Sequence, residues 1–228
     1  CADKFSSETN PKWVLGSIGP GTKLPTLGHT TYEILKDAYQ SCAKGLIDGG
    51  SDALLIETTQ DLLQAKAAIN GGRAAIKNSG KDIVLIAQVT VETNGTMLLG
   101  SEIGAALNAL EPLEIDLIGL NCATGPTEMS EHLRTLSLNT EIGISVMPNA
   151  GLPILGENGA HYPLAPDELA DALKTFVDEY RVNLVGGCCG TTPEHLAAVV
   201  KKLKGYESFD RKVAVSYTHL RAHETSLH

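Results

Sequence analysis

The segment Val185–Leu196, VGGCCGTTPEHL, sets two adjacent cysteines, Cys188 and Cys189, between Gly186-Gly187 and Gly190. A helix start with proline at its first position, Thr192-Pro193-Glu194, follows directly. Glycines on both sides let backbone approach closely, and the amino end of the next helix carries partial positive charge that favours thiolate. A second segment, GLNCATGP over Gly119–Pro126, places Cys122 in the same way after an apolar run. Three convergent thiolates suit zinc, a borderline-soft ion that prefers sulfur. With only three protein ligands, a fourth position stays open, where a substrate atom binds and becomes activated. Of the five cysteines, Cys42 lies within a helix pattern and Cys1 at the first position, so neither completes the set. A lone buried cysteine is ordinarily a small apolar filler, and Cys42 is read that way. On oxidation, Cys188 and Cys189 could instead form a strained vicinal disulfide.

Positioning these thiols requires a repeating scaffold. Six continuous apolar runs read as strands buried on both faces: Trp13–Ile18, Ala53–Ile56, Ile83–Val91, Ile115–Leu120, Ile142–Met147 and Asn183–Gly187. Amphipathic stretches follow them at Thr31–Asp48, Asp61–Asn78, Ser101–Leu110, Thr127–Leu138, Pro166–Arg181 and Pro193–Lys204. Asp61 and Ala165-Pro166-Asp167-Glu168 supply helix starts, and Gly49-Gly50, Gly80 and Gly205 punctuate helix ends. Regular strand and helix alternation means an α/β fold with a parallel sheet. Polar residues gather at the carboxyl ends of the strands: Gly19-Pro20, Glu57-Thr58-Thr59, Asn121-Cys122, Asn149-Ala150-Gly151 and Cys188-Cys189-Gly190. That distribution predicts a (β/α)8 TIM barrel with one active face, and the missing G-x-G-x-x-G weighs against a dinucleotide-binding sheet. Six units do not close eight, so the barrel is expected to lack its first two, with Cys1–Pro11 ending the preceding helix and its loop. Residues 1–210 are then a partial barrel domain. The segment 211–228 is expected to be a non-native tail; a metal tract through His219 and His223 is the weaker reading.

Composition bounds the function. The 228 residues carry 27 Asp+Glu against 18 Lys+Arg, a net charge of −9, with 43% hydrophobic residues. An acidic chain without a basic cluster or aromatic stripe predicts no nucleic-acid partner. No window reaches the roughly 18 apolar residues of a membrane span, and the first residues lack signal-peptide order, which predicts no membrane and a cytoplasmic location. An odd cysteine count with two neighbours argues against a secreted disulfide framework.

GLNCATGP, VMPNAGLP (Val146–Pro153) and VGGCCGTTPEH together resemble the homocysteine S-methyltransferase family, and PNAGLP leans toward the homocysteine-binding domains of its cobalamin-dependent methionine synthases. The resemblance runs from about Trp13 to Leu203. It implies that Cys122, Cys188 and Cys189 hold zinc and that Glu57 and Asn149 hold the amino-acid end of homocysteine. On chemistry alone, Glu57 reads equally as a carboxylate beside a helix start and Asn149 as a turn residue. Backbone around Gly151 and Gly187 is the implied seat of the substrate carboxylate. The implied activity is methyl transfer to the homocysteine thiol, giving methionine, with methylcobalamin as donor on a separate module and folate resupplying the methyl group. Alternatives are a donor such as betaine, S-methylmethionine or S-adenosylmethionine, a phosphate-binding barrel enzyme using Gly186-Gly187 and the helix start, or an inactive zinc-binding fragment.

Overall fold

The structure, a computed structural model, describes residues 2–156, 159–207 and 209–211. Cys1 and the segment 215–228, with His219 and His223, lie outside the described residues. A short helix α1 (Ala2–Phe5) precedes β1 (Leu15–Ile18) and α2 (Tyr32–Asp48). Then follow β2 (Ala53–Thr59), α3 (Leu62–Ser79), β3 (Val84–Val89), α4 (Ile103–Leu110), β4 (Leu117–Asn121), α5 (Pro126–Asn139) and β5 (Gly143–Met147). A hairpin of β6 (Ile154–Gly156) and β7 (Gly159–His161) leads to α6 (Pro166–Tyr180), β8 (Leu184–Val185) and α7 (Pro193–Lys202). Each predicted strand and helix is present; most are shorter than expected, while β2 extends to Thr59, α5 gains a residue at each end and α3 is shifted by one. The hairpin and two 3-10 turns, Pro25–Leu27 and Glu111–Leu113, carry too few residues for a periodic signal.

The six main strands form one curled parallel sheet in the order β1-β2-β3-β4-β5-β8. Alternate residues divide between its faces. Ile18, Leu54, Ile56, Leu85, Ala87, Val89, Ile118, Leu120, Ile144 and Val146 point outward into a core shared with the helices. Helix α3 is buried along Ala65, Ala68, Ile69 and Gly72, which lie three or four apart on one face. Its start is fixed by Asp61, whose carboxylate accepts from the backbone of Leu63 and Gln64 and also from Thr26.

The concave face is narrower and partly polar. Gln88 and Ser145, both fully buried, meet across β4 through a 3.1 Å hydrogen bond. Gly119 stands between them in register, pairing with both. A Cβ at Gly119 would lie 1.9 Å from the Ser145 carbonyl oxygen, so only glycine fits there. In β2 the register slips between Ile56 and Thr59, where Thr58 takes φ 54°. This bulge re-aims the end of the strand, as bulges beside sites commonly do.

Two boundaries differ from expectation. Cys42 is exposed rather than buried, because it lines an open cleft with Leu35, Ala38 and Tyr39 beside β1. The outer edge of β1 has no partner strand among the described residues, so nothing covers that part of α2. At the other end, Arg211 is buried and donates to the carbonyls of Tyr180, Arg181 and Ser137, tying together the ends of α5 and α6. The packed body therefore includes this residue. Among the described residues, no helix is long and apolar enough to cross a membrane.

Gly119→Ala is expected to destabilise the chain by about 3 kcal/mol, since the backbone it meets cannot yield without breaking the β4–β5 ladder. A urea midpoint within error of the parent would contradict this packing.

Candidate metal centre

Two strand ends deliver the three sulfurs, Cys122 after β4 and the pair Cys188 and Cys189 after β8, with the exit of β5 between them. Cys122 follows β4, and its amide donates to Met147 O at the end of β5, 3.1 Å away. Cys122 and Ala123 both adopt left-handed backbone, with φ 60° and 57°, a conformation non-glycine residues hold only when neighbours fix it. Here Thr124 N bonds Cys122 O, and Asn149 N bonds Thr124 O, so the turn is locked to the β5 exit. The cysteine pair is held from the same side: Cys188 N donates to Pro148 O, Ala150 N to Cys189 O, and Cys189 N to Asn149 Oδ1 at 3.1 Å. Gly187 is required beneath it, because a Cβ there would lie 2.2 Å from Thr191 Oγ1.

The outcome is a triangle of sulfurs. Cys122 Sγ lies 3.7 Å from Cys189 Sγ, Cys188 Sγ lies 4.0 Å from Cys189 Sγ, and all three ligand atoms fall within 4.8 Å of one another. Sulfurs about 2.3 Å from a tetrahedral ion stand about 3.8 Å apart, so the donor set fits zinc in type and spacing. None of the three is disulfide-bonded. The neighbouring Cys188 thiol, helped by the Ala123 backbone and Cys189, lowers the Cys122 thiol to about 6 against the opposition of burial and Glu57. Cys188 is pushed up by the facing Cys122 sulfur and by its partial burial.

Glu57 stands beside this cluster on the re-aimed end of β2. Its carboxylate accepts from Ser17 Oγ, from Thr58 Oγ1 at 3.0 Å and from Asn121 Nδ2 at 3.2 Å. Among the described residues it has no ion-pair partner; the ion pairs lie on the outer surface of the helices. A carboxylate fixed by neutral donors in a site is matched to an ammonium group brought by a ligand. Asn149, almost fully buried, spends its carbonyl oxygen on Cys189 N and so acts here as a brace of the cysteine pair. The Gly151 amide is turned onto Asn149 O at 2.7 Å, which engages a donor expected for a substrate carboxylate.

Sequence reasoning missed four participants. Asn121 bonds Thr58, Glu57 and, at 4.0 Å, Cys188 Sγ; its place just before Cys122 was a usable signal. Ser17 reaches Glu57 from β1. His195 bridges Thr192 and Leu164 O, consistent with its place three residues after the helix cap. Tyr162 lies against Gly190, just after the cysteine pair, and nothing in the local sequence pattern marked it.

The homocysteine S-methyltransferase family model matches residues 1–203. The chain is 60% identical over 223 residues to the methionine synthase of Mycobacterium tuberculosis, covering 95% of this chain and 19% of that protein. It is 63% identical over 198 residues to the methionine synthase of Mycobacterium leprae, covering 87% of this chain and 16% of that one. The chain thus spans less than a fifth of the length of these curated relatives. Among solved structures, the apo form of the Escherichia coli homocysteine methyltransferase MmuM superposes with a TM-score of 0.67 at 21% identity, covering 86% of this chain and 65% of that one.

In metal-free protein, Cys122 should be largely ionised at neutral pH, so its alkylation by iodoacetamide should rise with a midpoint near 6. Cys188→Ala removes the neighbouring thiol that contributes most to this lowering and should move that midpoint up toward about 8.5. Identical midpoints in the two proteins would show that Cys188 does not set the acidity of Cys122.

Proposed function

The chain belongs to the homocysteine S-methyltransferase family, and from that premise we propose that it is the homocysteine-binding part of a zinc-dependent, methylcobalamin-using methionine synthase. The observation that carries this reading is the triangle of Cys122, Cys188 and Cys189 sulfurs at the carboxyl ends of β4 and β8. High identity to two methionine synthases favours the cobalamin-dependent donor over betaine, S-methylmethionine or S-adenosylmethionine. A phosphate-binding enzyme would leave these thiols without a role.

Cys122, Cys188 and Cys189 would hold the zinc. A free thiol is only a few per cent ionised at neutral pH; bound zinc would keep the substrate thiol ionised, and a shift of about 1.5 units is worth roughly 2 kcal/mol. Glu57, held by Ser17, Thr58 and Asn121, takes the substrate ammonium and aims the chain so that its sulfur reaches the cluster. Asn149 keeps the cysteine pair in place through Cys189 N and offers its side-chain amide to the other polar end. The substrate sulfur attacks the methyl carbon in line; the new S–CH3 bond forms as the bond to the donor breaks. Cobalamin- and folate-binding modules of a longer protein are the proposed partners. Reduced thiols at the site suit the cytoplasm.

The same reading extends to architecture. We infer that the six units belong to an eight-unit barrel, supported by the edges of β1 and β8, which pair with no further strand among the described residues, and by the exposed Trp13 and Val14 beside the former. The segment 211–228, of which residues 212–228 lie outside the described residues, is proposed as a non-native tail.

One zinc per chain is the expected stoichiometry, lost in Cys122→Ala, with X-ray absorption gaining a sulfur neighbour when homocysteine is added. Glu57→Gln should keep the zinc and weaken homocysteine binding about tenfold or more. Full zinc retention in a Cys188→Ala, Cys189→Ala double variant would refute the assignment.

A further inference from the structure

We propose that Asn121 is a positioning residue that fixes the span between Glu57 and the cysteine cluster, and so selects an amino-acid thiol one methylene longer than cysteine. The inference rests on the function just proposed, in which Glu57 takes the ammonium and the metal takes the sulfur. A ligand gripped at both polar ends is measured by the distance between the grips, because one that is too short must leave one grip unpaired.

Asn121 bridges the two grips. Its amide nitrogen lies 2.7 Å from Thr58 Oγ1, 3.2 Å from Glu57 Oε2 and 4.0 Å from Cys188 Sγ. The carboxylate and that sulfur therefore stand no farther apart than the last two lengths laid end to end. Its side-chain oxygen accepts from Thr58 N at 2.7 Å. Thr58 is β-branched yet left-handed, with φ 54°, a backbone state that neighbours must hold. Asn121 grips it by both amide and hydroxyl, and the hydroxyl passes the constraint on by donating to Glu57 Oε2 at 3.0 Å. Ser17 holds the other carboxylate oxygen, Oε1. Asn121 can act as a fixed point because it is itself buried and anchored: Thr90 Oγ1, just after β3, donates to its backbone carbonyl at 3.1 Å, and it pairs with Met147 of β5. Glu57 and Thr58 make up the bulge of β2, so releasing Thr58 frees the carboxylate while the cysteines keep their own backbone bonds.

The test titrates the whole zinc-loaded chain by calorimetry with L-homocysteine, with L-cysteine and with 4-mercaptobutanoate, which is homocysteine without its ammonium group. The parent should bind homocysteine about tenfold or more tighter than either of the others. Asn121→Ala should weaken homocysteine about tenfold, leave 4-mercaptobutanoate within about twofold, and cut the preference over cysteine to about threefold or less. In a Glu57→Gln background the same change should cost nothing further, because Asn121 acts through that carboxylate. Asn121→Leu, close in volume, repeats the measurement without opening a cavity. Loss of zinc from both variants overturns the proposal, since Asn121 would then serve the metal and not the span. With zinc retained, equal weakening of all three thiols or an unchanged preference also overturns it, while leaving the proposed function standing. A parent that takes up no zinc, or zinc but no homocysteine, refutes that function and this inference together.

Discussion

Three sulfurs within 4.8 Å of one another must be held by something other than themselves. In this chain much of the holding is done by hydrogen bonds from main-chain groups that run between loops. Cys122 N is bonded to Met147 O, Cys188 N to Pro148 O, Cys189 O to Ala150 N, and Cys189 N to the Asn149 side chain. The short stretch Met147–Ala150 is thus the common brace for both cysteine-bearing turns. Its own position follows from β5, whose buried Ile144 and Val146 anchor it between β4 and β8. Left-handed backbone at Cys122 and Ala123 is tolerated because this network over-determines it.

The same brace explains why glycines cluster around the site. Gly119, Gly187 and Gly190 each face an atom that would collide with a Cβ: the Ser145 carbonyl, the Thr191 side chain and the Tyr162 ring. Close approach of backbone to backbone is what brings β4, β5 and β8 near enough for their exits to share one point. Polar pairing does comparable work on the inner face. Buried Gln88 donates its amide to Ser145, and Asn121 spends its amide on Thr58 and Glu57, so a carboxylate and three thiols are fixed in one neighbourhood.

Much of this was legible because strands buried on both faces and helices buried on one produce different periods of apolar residues. The runs at Ala53–Ile56 and Ile142–Met147 mark strands that the structure contains, and Asp61 caps α3 as its type and place suggested. Cys42 misled for a physical reason: its side of α2 is apolar in sequence, yet the cleft beside β1 is open and leaves it exposed. The hairpin of β6 and β7 gave no signal, since three residues per strand cannot establish an alternation.

Residue types and local spacing determined the alternating scaffold and the three thiols at strand ends, because both are written in contiguous stretches of chain. Only the tertiary structure decided that Tyr162 packs on Gly190, that His195 ties its loop to α7, and that Asn149 turns toward the cysteine backbone. Those contacts join segments distant in sequence, and their geometry depends on the curl of the sheet and on sub-ångström clearances at glycines. Neither quantity has a local signature in the order of residues.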